Sequence, residues 1–71
     1  MPKPTSDIIQ IINAGSNVIL NKAKPTSDLV QIATAAKRMG VQVTMRGFIK
    51  PTSDWIAIAK AGGKNVTIDL G

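Results

Sequence analysis

The pentapeptide KPTSD is written three times in this chain, at Lys3–Asp7, Lys24–Asp28 and Lys50–Asp54. A unit that recurs every two dozen residues or so restricts the fold more than any composition does. Whatever one unit forms the others form too, and each must bury its apolar side against a neighbour. Aligned on the motif, the chain reads as units 3–23, 24–49 and 50–71 of a single domain, and its 71 residues leave room for only one core.

Behind each motif the apolar residues follow helical spacing. Unit one has Ile8, Ile9, Ile11 and Ile12, unit two Leu29, Val30, Ile32, Ala33 and Ala36, and unit three Trp55, Ile56, Ile58 and Ala59. This i, i+3, i+4 recurrence predicts amphipathic helices with a wide apolar side. Gly15, Gly40 and the pair Gly62–Gly63 then stand where helices end. Beyond them the period falls to two. Val18 and Leu20 alternate with Ile19 and Asn21, Val43 and Met45 with Thr44 and Arg46, and Val66 and Ile68 with Thr67 and Asp69. Those segments predict short strands with one buried side.

Each unit is thus helix, glycine turn, strand. The order αβαβαβ is that of an α/β domain with a parallel sheet. Right-handed crossovers and strand order 1-2-3 place the helices on one face and make the domain a short open solenoid. From motif proline to first inward valine (Pro4 to Val18, Pro25 to Val43, Pro51 to Val66) the spacing is 14, 18 and 15 positions. The excess in unit two is close to one helical turn, so its helix lengthens without rotating its apolar side.

Within the motif, proline ends the preceding extended segment, Thr or Ser is expected as N-cap, and Asp sits in the first turn against the helix dipole. A functional alternative lines up three lysines and three helix N-termini as an anion-binding row. Asp7, Asp28 and Asp54 already occupy that position, which favours the scaffold reading.

Several further features have a plain structural reading beside a functional one. AGGKNVT at Ala61–Thr67 has phosphate-loop residues, but it joins helix to strand, the reverse of the strand-to-helix order that cradles phosphate. Helix termination accounts for it. Trp55 takes the place of Ile8 and Leu29, which makes it a core or helix-contact residue before it is a partner hot spot. The chain has nine Lys and Arg against four acidic residues, a net charge of +5. A basic balance raises nucleic acid as a partner. Lys37 and Arg38, however, belong to the outer helix surface, Arg46 belongs to the opposite sheet face, and no aromatic interleaves with them for stacking.

Chemistry is sharply limited. The sequence contains no His and no Cys, and its four carboxylates are the three motif aspartates and Asp69. No acid–base pair, nucleophile or metal set can be assembled from these, so no enzyme activity, cofactor, metal or small-molecule substrate is expected. The start MPKPTSD lacks a signal-peptide apolar stretch and no apolar run is long enough to span a bilayer, so a cytoplasmic protein without membrane contact is the expectation.

The segments PTSDLVQIATAAKRMGVQVTM and PTSDWIAIAKAGGKNVTID resemble short helix–strand tandem repeats of small bacterial proteins. In these a Ser/Thr-Asp-Leu start, an alanine-rich middle and a glycine-led strand recur. The first unit departs from the pattern with IINAGSNVILN. The resemblance implies the α/β repeat fold and carries no activity and no site residues.

The surface left over is the sheet face away from the helices, with Asn17, Ile19 and Asn21 beside Gln42, Thr44 and Arg46 and beside Asn65, Thr67 and Asp69. A bare parallel sheet with two open edges predicts a protein-interaction or self-assembly module, as a homodimer or with another protein. Its expected contact residues are Ile19, Asn21, Thr44, Arg46, Thr67 and Asp69. The alternative is an accessory nucleic-acid binder using dispersed lysines and Arg46. A third reading is an engineered or excised fragment of a longer repeat array, with the unequal spacers and divergent helices speaking against a consensus design.

Overall fold

A computed structural model describes residues 4–71 of the chain; Lys3, the first lysine of the motif, lies outside the described residues. The elements run α1 (Thr5–Asn13), β1 (Val18–Leu20), α2 (Thr26–Met39), β2 (Val43–Met45), α3 (Thr52–Gly62) and β3 (Val66–Ile68), with a 3-10 turn at Gly63–Asn65 leading into β3. The fold is α/β: three helix–strand units whose parallel strands form one open sheet in the order β1-β2-β3. Val18, Val43 and Val66 stand side by side in register, as do Leu20, Met45 and Ile68.

The helices lie in a row over one face of the sheet, with α2 packed between α1 and α3. Between them and the strands sits the core. Ile12, Leu29, Ile32, Val43, Met45 and Ile58 are fully buried, and among the described residues no polar side chain is buried with them. The alternation expected of the strands holds: Leu20, Val43 and Met45 are buried, whereas Ile19, between Val18 and Leu20, is 62% exposed. The longer middle unit is accommodated as its spacing requires, by a helix of 14 residues against 9 in α1 and 11 in α3.

Two glycines are required by their surroundings. Gly40 closes α2 in the left-handed conformation, φ 71° and ψ 24°, which a side chain disfavours. Gly62 is buried where α3 meets α2. A Cβ there would overlap Val66 Cγ2 and lie 3.1 Å from Ala33 Cβ. Gly15 also has positive φ, but it follows the C-cap residue of α1, which is Ala14.

The motif behaves differently from the capping expectation. Each helix begins at the threonine, with Pro4, Pro25 and Pro51 in the N-cap place at extended angles, and no side chain caps any of the three. The proline carbonyls accept the first helical amides, as in Asp7 N–H to Pro4 O at 3.1 Å and Asp28 N–H to Pro25 O at 3.0 Å. The threonine hydroxyls instead reach sideways. Thr5 Oγ1 donates to Asp28 Oδ2 at 3.1 Å, and Thr26 Oγ1 donates to Asp54 Oδ2 at 3.0 Å. The reason is geometric. Thr and Asp are two positions apart, so on a helix they point about 200° from each other, one to the next unit and one to the previous. KPTSD is a staple between neighbouring units as well as a helix start.

A test follows from this geometry. Asp54→Ala removes both the inter-unit acceptor and the dipole partner, an expected loss of about 1–2 kcal/mol for a half-exposed site. Asp7→Ala removes only the dipole term, about 0.3–1 kcal/mol, because among the described residues the threonine bonds between units reach Asp28 and Asp54 and not Asp7. Urea unfolding of both variants measures the difference. Equal losses would show that the threonine bond contributes nothing.

Candidate partner-binding surface

The open sheet face is built by the residues between the inward ones. Ile19, Thr44 and Thr67 stand in register across the three strands. Ile19 and Thr67 are exposed and Thr44 is half-buried by its neighbours on either side. Small β-branched residues here suit a pleated surface and leave it low and flat.

Polar side chains tie the two ends of the strands. At the start of the sheet the backbone N–H of Gln42 donates to Asn17 Oδ1 at 2.8 Å, and Gln42 Nε2 donates to Thr67 Oγ1 at 2.7 Å. The Asn65 amide donates to the backbone Val41 O at 3.0 Å. At the far end Arg46 Nε lies 3.9 Å from Asp69 Oδ2, both about half-exposed, so the pair is loose and solvent-screened. Asn21 is exposed at the same end, after β1.

The six residues expected to form a contact surface therefore fall in two rows on one side of the sheet. Ile19, Thr44 and Thr67 form the strand row, and Asn21, Arg46 and Asp69 follow the strand ends. The sequence reading did not foresee Gln42 lying across to Thr67. Its long amide, one position before an inward valine, was the available signal. The face carries one exposed aliphatic, hydroxyls and amides, and a single ion pair. Such a surface can add hydrogen bonds and apolar contact to a partner.

Of the basic residues, Lys37 and Arg38 end α2, with Arg38 Nη2 donating to Asn13 Oδ1 at 2.8 Å, while Arg46 follows β2 at the opposite end of the unit. They do not converge. Among the described residues no group of three or more His, Cys, Asp or Glu could hold a metal, and no helix is long and apolar enough to cross a membrane.

A second surface lies at the end of the helix row. A groove of about 460 Å³ is lined by Thr52, Trp55, Ile56 and Ala59 of α3, with Phe48 and Ile68 at its sides. Trp55 is half-buried here, whereas Ile8 and Leu29 at the same motif position are buried. It stacks obliquely on Phe48, ring centroids 5.8 Å apart and planes at 35°.

Comparison with known proteins finds no matching family model, no matching curated sequence and no matching solved structure.

Proposed function

We propose that this chain is a non-enzymatic protein-interaction or self-assembly module that engages a second copy or another protein through the open sheet face. The observation that carries the reading is the bare side of the parallel sheet, where Ile19 stands 62% exposed. Parallel sheets are ordinarily covered on both faces because their strands are built for burial. A partner that covers Ile19, Thr44 and Thr67 would remove that exposure, with Asn21, Arg46 and Asp69 forming a polar rim. The likeness to bacterial helix–strand repeats agrees with a scaffold role and adds no chemistry to it.

The test is affinity capture from host lysate, with wild type and Thr44→Glu in parallel and light scattering on each purified protein. A partner or a dimer present with wild type and lost with Thr44→Glu supports the open face, since a carboxylate at its centre must be desolvated on binding. Identical results for the two proteins overturn that assignment. A nucleic-acid role would instead show as retention on DNA or RNA that falls steeply with salt.

A further inference from the structure

The end groove on α3 has an identifiable occupant, and the repeat itself specifies it. The two threonine–aspartate bonds give each helix a direction. The threonine side faces the following unit and the aspartate side faces the preceding one. Residues three, four and seven positions after the threonine share its side, and those four and seven after the aspartate share the other.

Burial follows this rule through the row. On the aspartate side, Ile32 and Ile58 are wholly buried, while the equivalent Ile11 of α1 is 40% exposed. On the threonine side, Ala33 of α2 is wholly buried and approaches Gly62 of α3, while the equivalent Ala59 is exposed and Ile56 is 49% exposed. The groove on α3 is lined by the threonine-side residues Thr52, Trp55, Ile56 and Ala59. The chain thus presents the two halves of its own inter-unit junction at opposite ends. Among the described residues, Asp7 receives no bond from a threonine and Thr52 gives none to an aspartate. The sheet is open at the same two ends, because β1 and β3 are each paired on one side only.

We propose that copies of this chain associate head to tail, the α1 end of one copy seated in the α3 groove of the next as a continuation of the repeat. Asp7 of the incoming copy accepts from Thr52, beside Lys50 of the groove wall, which supplies the opposite charge. Ile11 packs against Ile56 and Ala59, at the place in the repeat where Ile32 and Ile58 are buried. Strand Val18–Leu20 of the incoming copy lies parallel to Val66–Ile68, in the register that β1 and β2 already show. Such a contact is heterologous and does not consume itself, so it yields open chains or rings rather than a closed dimer. Asp69, which borders the groove, is the one residue shared with the open sheet face, and the proposal goes beyond the interaction role assigned to that face.

The test is sedimentation equilibrium over a range reaching several hundred micromolar. The weight-average mass is expected to rise continuously past that of a dimer. Ile11→Glu and Ile56→Glu, both at exposed positions, are each expected to be monomeric. Mixed together they are expected to form a 1:1 dimer and nothing larger, since each keeps one intact end. Thr52→Val is expected to weaken association about three- to tenfold. Circular dichroism and thermal unfolding check that each variant is folded, and Ala59→Glu replaces Ile56→Glu if the latter is not. A wild type monomeric throughout overturns the proposal, as does a mixture that stays apart. Thr44→Glu separates the two surfaces. Chains should persist in it, and association lost there but kept in Ile11→Glu and Ile56→Glu would leave only the open face.

Discussion

Replacing Leu29 by alanine is expected to destabilise the domain by about 2–5 kcal/mol. Leu29 is fully buried in the middle helix, which has a neighbour on both sides and the sheet beneath it. Removing its isobutyl group loses transfer free energy and leaves a cavity that few side chains can refill, because the adjacent helices are tied by their own strands and motifs. A domain of this length has a total stability of about 4–10 kcal/mol. The loss therefore consumes a large share of it and moves the unfolding midpoint far down. The equivalent change at Ile8, in the end helix with a neighbour on one side only, should cost less because that site can relax toward solvent. Urea denaturation followed by circular dichroism measures both. A Leu29→Ala loss below about 1 kcal/mol would contradict the placement of α2 at the centre of the core.

Gly62→Ala is the second large effect, and its sign is set by two opposed terms. In a helix alanine is favoured over glycine by about 1 kcal/mol. The backbone at Gly62, φ −100° and ψ −22°, admits a side chain without strain. Against this, the new methyl group would overlap Val66 Cγ2 and lie 3.2 Å from Val66 Cβ and 3.1 Å from Ala33 Cβ. Valine on a strand has little χ1 freedom with which to retreat. The overlap therefore separates α3 from α2 or displaces β3, at a cost of about 1–3 kcal/mol. Packing wins over most of that range, and a net loss of up to about 2 kcal/mol is expected. Pairing Gly62→Ala with Val66→Ala should recover part of it, so the double variant loses less than the sum of the singles. If Gly62→Ala alone raises the unfolding midpoint, the close approach of α3 to α2 is absent.

Much of the architecture was readable before any coordinates. The change from a period of about 3.6 to a period of 2 behind each motif located three helices and three strands. The alternation within VIL, VTM and VTI assigned their inward and outward sides. The extra turn in unit two was legible as a longer helix because one turn is the only increment that keeps the apolar side in place. The open face, with Ile19, Thr44 and Thr67 on its strand row, followed from the same alternation. These features depend on the geometry of a single segment, which the segment's own residues dictate.

The motif was misread in one respect for the opposite reason. A threonine ahead of an aspartate satisfies the local rule for an N-cap, and the competing partner for its hydroxyl, Asp28 or Asp54, lies more than twenty residues away. The signal was present all the same. Two polar residues spaced at i and i+2 on a helix cannot serve the same side, and a spacing kept in all three units points to a neighbour on each side.

By itself, then, the sequence determined the units, their elements and their buried sides, since each of these is local. Only the tertiary structure decided which side of each helix meets which neighbour. Ile11, Ile32 and Ile58 are the same residue at the same place in the repeat, yet the first is 40% exposed and the other two are sealed. Nothing in their own segments distinguishes them. Their difference comes from position in the row, because a helix in the middle has two neighbours and a helix at the end has one.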